Sequence, residues 1–449
     1  MASIAIDKPG AALADGTPIA SLVNGRTGRV SRRIHNDAEI FELEQERIFR
    51  RAWCYLAHES EIADPGDFVT RLLAGESVVI VRGDDGAIRG FLNACRHRGN
   101  RVCRTDRGNA SVLRCSYHGW AYAKSGELVS AFAEDFYSKE NLDKEASGLV
   151  PLGQISSYKG LIFGTWATDV PPLEKFLGDM RFYLDLLVGR TDAGTELIGM
   201  PQIWEGRSNW KLLAENSCDN QHLHTAHGSI VALGLLPPDP MALARGKLIA
   251  TGGGHILHAV PGPPDPFFEY LGLPEELRPH LKRNLSEAQL AVARNTTYTV
   301  GNIFPNLSFI QVMIQGDPET PPTPFLNIRV FQPLGPDRTR VVSCLLIDRE
   351  ASPEYRKASL ATYVRTFGPS GIFEQDDMEN LEQCTRVSAG RIAQRHPLHQ
   401  SMSLHVEPMK DFPGPGKVWP VSFGETAQLA FYDEWQRCLS TPTPWETAR

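Results

Sequence analysis

Cys95 and His97, then Cys115 and His118, form a C-x-H pair and a C-x-x-H pair with 17 residues between them. Two thiolates can hold one iron of a [2Fe–2S] cluster while two neutral imidazoles hold the other. Exchanging two anionic ligands for neutral ones removes negative charge from the cluster and raises its reduction potential. It also ties that potential to imidazole protonation. Zinc is the competing occupant, because it accepts the same donors. Zinc fingers, however, place a Cys pair before a His pair, whereas each pair here mixes one of each. The flanks favour the cluster further: in Cys95-Arg96-His97-Arg98-Gly99 and Cys115-Ser116-Tyr117-His118-Gly119 each His is followed within two residues by Gly, as a loop folding over a cluster needs.

A second group of ligand-type residues lies in Asn216-Ser217-Cys218-Asp219-Asn220-Gln221-His222-Leu223-His224-Thr225-Ala226-His227. Such side chains on an otherwise core-like helix are costly unless a metal or a hydrogen-bond network satisfies them. His224 and His227 are one helical turn apart. His222 and His227 converge only on a distorted helix, and a metal-free polar cluster is a third arrangement. Downstream, Phe373-Glu374-Gln375-Asp376-Asp377-Met378-Glu379-Asn380 opens a helix. Adjacent acids there can serve the helix dipole alone. Two His and one carboxylate are equally the facial triad of non-heme Fe(II) oxygenases, with positions left open for O2 and substrate.

The elements that must position these residues follow from patterning. The tail 1–35 is rich in Gly, Ala and Ser and reads as loosely ordered. Asn36 followed by Glu39 marks a helix start, with Ile40, Phe41, Leu43, Ile48 and Phe49 on its apolar face. From Trp53 to about Phe163 short apolar runs end at turns such as Gly83-Asp84-Asp85-Gly86 and Lys124-Ser125-Gly126, so the first ligand set sits on loops of a small β domain. Ser208 is placed to cap a helix running from Trp210, with Gly228 as its stop. Phe325 to Ile347 reads as a hairpin turning at Gly335-Pro336-Asp337. Pro-rich loops at 236–240, 261–266 and 316–324 are candidates to border a pocket.

The chain of 449 residues is long enough for two or three domains, and its 42% apolar and 22% charged content is that of a globular protein. A net charge of -7 offers no footprint for nucleic acid or anionic lipid, and no apolar run is long enough to span a bilayer. The eight scattered cysteines and the absence of a signal-peptide run suit a reducing cytoplasm. No G-x-G-x-x-G follows a strand, and Gly252-Gly253-Gly254 reads as a plain turn. Without a nicotinamide or flavin domain of its own, the chain must receive electrons from elsewhere.

Taken together, the chain resembles the large (alpha) subunit of bacterial Rieske non-heme iron aromatic-ring-hydroxylating dioxygenases, closest to the naphthalene, biphenyl and phthalate branch. Leu56-Ala57-His58-Glu59-Ser60-Glu61-Ile62, Ile303-Phe304-Pro305-Asn306 and Thr366-Phe367-Gly368-Pro369-Ser370-Gly371 carry the likeness beyond the ligands. The resemblance implies an α+β protein, with an all-β Rieske [2Fe–2S] domain inserted near the N-terminus of a helix-grip catalytic domain of antiparallel sheet plus helices. The expected division is 1–51 as tail and helix packing with the catalytic domain, 52–165 as the Rieske domain, and 166–449 as the catalytic domain. The cluster lacks the extra Cys after each ligand pair, so it resembles the lower-potential kind found in oxygenases. The family pattern D-x2-H-x4-H implies a mononuclear Fe(II) on His222, His227 and Asp377, with His224 a non-ligand. Asn216 stands three positions before Asp219 where the family usually has four, so its role is a shifted pocket contact. Leu223, Phe367 and Phe373 are the other expected pocket residues.

Further expectations follow from the family. A ferredoxin and its NADH-dependent reductase supply electrons. The chains form a homotrimer, often with a small beta subunit. Electrons cross between neighbours from His118 through Asp219 to His222. O2 and an uncharged arene of one to three rings are the substrates, and a cis-dihydrodiol is the product. A Rieske monooxygenase or O-demethylase acting on an aromatic acid is the nearest rival, and would want a buried cation such as Arg294, Arg329 or Arg365. An electron-transfer protein is the rival from another class.

Overall fold

The computed structural model describes residues 12–138, 140–236 and 239–441. The chain forms two compact units, one made of the segment up to Ile48 together with everything from Glu174 onward, the other of Phe49–Leu173. The second unit takes in residues beyond 165 because side chains fasten them to it. Trp53 Nε1 donates to Pro171 O at 2.9 Å, Gln154 Nε2 to Val170 O at 3.1 Å, and Arg51 pairs with Asp169 at 2.7 Å.

The N-terminal segment departs from the loose tail expected of residues 1–35. From residue 12 onward it is ordered, and Leu13, Ile19, Leu22, Val23, Val30 and Ile34 are buried. Short strands pair Val23 with Val30, and Val30 in turn with Leu398. Apolar residues spaced among the Gly and Ser anchor it; residues 1–11 lie outside the described range. Helix α1 (Ala38–Glu44) is capped by Asp37 rather than Asn36: Asp37 Oδ1 accepts from Glu39 N at 2.9 Å, whereas the Asn36 amide donates to Thr385 O.

The unit Phe49–Leu173 is a stack of antiparallel strands: β1 (Cys54–His58), β2 (Asp67–Leu73), β3 (Glu76–Arg82), β4 (Ile88–Leu92), β5 (Arg107–Asn109), β6 (Leu113–Arg114), β7 (Ala121–Tyr122), β8 (Leu128–Ser130), β9 (Gln154–Tyr158) and β10 (Leu161–Thr165). They form sheets of order β4-β3-β2-β5, β8-β7-β6 and β9-β10-β1. The run Val78-Val79-Ile80-Val81 is wholly buried in β3, and Val79, Val81, Phe91, Leu113, Trp120 and Tyr122 share one core with Cys95 and Cys115.

The other unit is built on an eight-stranded antiparallel sheet. Its strands are β11 (Thr195–Gly206), β12 (Lys247–Gly252), β13 (His255–Val260), β14 (Tyr298–Ile303), β15 (Leu307–Ile314), β16 (Thr323–Gly335), β17 (Arg338–Asp348) and β18 (Lys417–Trp419), in the order β11-β17-β16-β15-β14-β13-β12-β18. The expected hairpin is β16–β17. Helices α2 (Trp210–Asn216) and α5 (Pro353–Phe367) pack on β16, and α7 (Thr426–Ser440) packs on β12 and β13. Helix α2 is capped by Asn209, whose Oδ1 accepts from Lys211 N at 3.1 Å, not by Ser208, whose carbonyl accepts from Thr339 Oγ1. It does not run on to Gly228. It ends at Asn216, and after an irregular stretch come α3 (Leu223–Ala226) and α4 (Gly228–Ala232), so Gly228 opens a helix instead of stopping one. Helix α6 (Glu374–Ser388) starts where the acidic run predicts.

One buried carboxylate locks α1, α2 and α7 together. Glu44 accepts from Lys211 Nζ at 2.5 Å, Trp210 Nε1 at 2.8 Å and Trp435 Nε1 at 2.7 Å, with both charged side chains wholly buried. Burial pulls the Lys211 ammonium below its ordinary pKa, against the opposing charge of Glu44. A buried pair of this kind is strongly destabilising to break, because either partner alone is an uncompensated charge.

Candidate functional site: two clusters of metal donors

The first set of donors sits on two loops of matching shape. Cys95 N donates to Asn100 O and Gly99 N to Cys95 O, both at 2.8 Å. In the second loop Cys115 N donates to Trp120 O at 2.8 Å and Gly119 N to Cys115 O at 3.1 Å. Each loop closes at a glycine with φ of +73°, a conformation that costs any other residue strain. The loops bring the His97 and His118 rings to 4.5 Å, and Trp120 stacks on His97 at 5.1 Å and 5°. His97 Nδ1 is buried and has no partner among the described protein atoms, as a metal donor should be. The Tyr122 hydroxyl accepts from Arg96 N at 2.9 Å, which leaves its proton for Cys95 Sγ at 3.3 Å. Asn100 Nδ2 donates to Cys115 Sγ at 3.6 Å. Burial works against ionisation of Cys115, but hydrogen bonds from Tyr117 N, Asn100, Cys95 and His118 N outweigh it and lower its pKa. Donor type, loop shape and the orphaned nitrogen all fit a [2Fe–2S] cluster.

The second set gathers in the other unit. Donor atoms of His222, His227 and Asp377 lie within 4.8 Å of one another. His222 Nε2 and His227 Nε2 stand 3.4 Å and 3.2 Å from Asp377 Oδ1. Their outer nitrogens face two further carboxylates: His222 Nδ1 is 3.3 Å from Asp219 Oδ1, and His227 Nδ1 is 3.3 Å from Asp376 Oδ2. The Asp376 carboxylate hydrogen-bonds His227 Nδ1, which fixes that tautomer and leaves Nε2 free to ligate, while Asp219 Oδ1 accepts from the His222 backbone N at 3.2 Å. Two imidazoles, one carboxylate and no thiolate suit ferrous iron with open positions. His224 is outside this group.

The break in the helix makes the five-residue spacing work. Gln428 Nε2 of α7 donates to Cys218 O at 2.8 Å, taking an acceptor a continuing helix would use, and Ser217 Oγ pairs with Ser308 Oγ at 2.8 Å. His222 then precedes α3, with His227 at its C-terminal end.

A cavity of about 50 Å³ adjoins the three donors. Asn216, Leu223, Phe367 and Phe373 all line it, together with Val300, Ile310, Phe331, Tyr298, Ser308, Arg329 and Glu374. Phe367 and Phe373 stack at 5.0 Å and 5° to form one wall, and Phe373 meets His227 edge-on at 4.9 Å. None of the described residues of the three Pro-rich loops lines it, because the sheet face and helices α2, α5 and α6 close it instead; residues 237–238 lie outside the described range.

Of the three arginines considered from sequence, Arg329 reaches the cavity, and it arrives neutralised. Its Nη2 pairs with Glu374 Oε2 at 2.5 Å and donates to Phe367 O at 3.2 Å, and its Nε donates to Asn327 Oδ1 at 3.1 Å. Sequence reasoning missed Asp376, Tyr298 and the Arg329–Glu374 pair. The doubled acid Asp376-Asp377 was the one available signal: neighbouring helix positions point about 100° apart, so two adjacent carboxylates can serve two different partners.

Comparison with known proteins agrees with this geometry. Residues 52–136 match the Rieske [2Fe-2S] domain, and residues 181–441 match the ring hydroxylating alpha subunit (catalytic domain). The chain is 36% identical to the biphenyl 2,3-dioxygenase subunit alpha of Rhodococcus jostii (strain RHA1), covering 94% of this chain and 92% of that one. It is 32% identical to the N,N-dimethyl phenylurea N-demethylase subunit alpha of Sphingobium sp. (strain YBL2), covering 92% of each. The crystal structure of naphthalene 1,2-dioxygenase from Rhodococcus sp. bound to indole superposes with a TM-score of 0.89 at 40% identity, over 94% of this chain and 95% of that one.

Proposed function

Because this chain belongs to the Rieske ring-hydroxylating alpha subunits, we propose that it adds both atoms of O2 to one face of an uncharged arene, giving a cis-dihydrodiol. The reaction consumes two electrons and two protons beside arene and O2, and the electrons come from NADH through a reductase and a ferredoxin. When bound, the cluster stores an electron and the ferrous ion activates O2, which spin otherwise keeps from reacting with an arene. Cys95, His97, Cys115 and His118 would hold the first, and His222, His227 and Asp377 the second.

The chain's own residues do the rest. Phe367, Phe373, Val300, Ile310 and Leu223 bind the ring and exclude water. Asp376 holds the proton on His227 Nδ1. Asp219 accepts from the His222 backbone N and offers its remaining lone pairs to His118 of a neighbouring chain, in a homotrimer with or without a small beta subunit. The observation that carries the reading is the convergence of two imidazoles and one carboxylate beside a cavity walled by aromatic and aliphatic side chains. The Arg329–Glu374 pair favours an uncharged arene over an aromatic acid, because the cation an acid would need is already matched.

The test feeds 18O2 and a panel of arenes to the purified protein with a surrogate reductase and ferredoxin. Mass spectrometry should find both labelled atoms in one cis-diol; a phenol or released formaldehyde would overturn the dioxygenase reading. Asp219→Ala should keep both metals and stop electron delivery, and normal turnover by that variant would refute the relay.

A further inference from the structure

Behind Tyr298, a half-buried residue that lines the cavity, lie two buried hydrogen-bonding side chains, His258 and Asn220, and the reaction just described uses none of the three. His258 of β13 is 1% exposed, and neither ring nitrogen has a partner among the described protein atoms. Its ring lies 4.8 Å from that of Tyr298, which lines the cavity. The Tyr298 hydroxyl donates to Asn220 Oδ1 at 3.3 Å, and Asn220 Nδ2, fully buried, has no partner either. Strand register puts His258 on the right face. It is paired with Val300 and Val300 with Ile310, so all three side chains rise from the same side of the sheet, and Val300 and Ile310 line the cavity. Buried polar groups in folded proteins are almost always satisfied, so orphans gathered around one phenol call for a partner.

The charge state narrows what that partner is. Burial pushes the His258 imidazole below its ordinary range, so it is neutral with one donor and one acceptor. Burial, with Asp377, Cys218 and Asp219 nearby, keeps the proton on Tyr298, whose oxygen can still accept. No cation belongs to the group and two carboxylates stand close, which disfavours an anionic substituent. A neutral group that donates and accepts fits. The cavity of about 50 Å³ is smaller than the roughly 150 Å³ that admits benzene, so a ring enters by displacing lining side chains, and Tyr298 is the lining residue whose ring contacts His258.

We propose that Tyr298, His258 and Asn220 form a polar subsite that takes a neutral hydrogen-bonding group of the arene, a hydroxyl or a ring N–H. This rests on the cavity being the place where the arene binds. Indole and indene test it, since they share size and shape and differ by one N–H. For the enzyme loaded with both metals, dissociation constants from calorimetry and kcat/KM should both favour indole by about tenfold, the worth of one hydrogen bond. The preference should fall toward unity in His258→Leu and in Tyr298→Phe and persist in His258→Gln, with cluster absorbance and iron content reporting folding. Equal binding of the two probes by the wild-type chain, or an indole preference unmoved in both variants, overturns the subsite. Indole-selective binding without oxygenated product from any arene would instead overturn the dioxygenase reading and leave the subsite standing.

Discussion

Arg329→Met should be among the most damaging single changes in the catalytic unit. The guanidinium and the Glu374 carboxylate are 8% and 2% exposed. Its removal strands the Glu374 charge and also deprives Phe367 O and Asn327 Oδ1 of a donor. Breaking a buried pair from one side costs about 3–5 kcal/mol, a large part of the 5–15 kcal/mol that holds a typical domain. In urea this is a midpoint shift of about 1 M or more, read by tryptophan fluorescence and circular dichroism. The pH dependence is diagnostic. Burial already raises the Glu374 carboxyl above its ordinary 4.5, with Arg329 drawing it back, so loss of Arg329 raises it further. A folded-state pKa above the unfolded one contributes stability that is lost as pH rises through the folded value. The deficit of Arg329→Met should therefore be largest near pH 8 and shrink toward pH 5, where Glu374 takes a proton. Arg329→Met/Glu374→Leu should recover most of the loss. A deficit below about 1 kcal/mol, or one that grows on acidification, would refute the account of the pair.

Three other measurements probe the remaining groups. Glu215 is pushed up to about 7 by burial and by the nearby charges of Asp219 and Glu425, against hydrogen bonds from Tyr432 and Gln400. Folding stability should fall by about 3 kcal/mol as pH rises from 4.5 to 7, a slope that Glu215→Gln should flatten. Tyr122→Phe removes the hydroxyl beside Cys95 Sγ and should lower the cluster potential by roughly 20–60 mV in protein-film voltammetry, with no change expected if that proton points elsewhere. Asp376→Ala should weaken iron binding about 10–100-fold in chelator competition while the cluster's visible spectrum stays unchanged.

The sequence made the first site easy to read and the second hard, for a physical reason. Cys95, His97, Cys115 and His118 lie on two short loops whose shape is set within a few residues by Gly99 and Gly119, so ligand type and spacing carry the information. His222, His224 and His227 could be sorted by the family pattern but not by periodicity. The break after Asn216 depends on Gln428 and Ser308, which are remote in sequence. The same holds at the helix starts. Asn36 and Ser208 are good caps by type, yet the Asn36 amide is engaged elsewhere, the Ser208 hydroxyl has no partner among the described protein atoms, and in each case the next residue does the capping. Arg329 was visible as a residue, but its direction and its match with Glu374 are products of the sheet. In the N-terminal segment a Gly-, Ala- and Ser-rich composition hides six well-spaced apolar anchors from Leu13 to Ile34.

The tightness of the cavity makes time, as well as fit, a selector of substrates. A space of about 50 Å³ lined by Phe367, Phe373 and Tyr298 admits a guest larger than itself only as lining side chains move. Association is then gated by how often those rings swing, so it should be slow and steeply dependent on temperature, while escape is slowed by the same rings. Larger guests, which need several side chains to move at once, should enter more slowly than small ones.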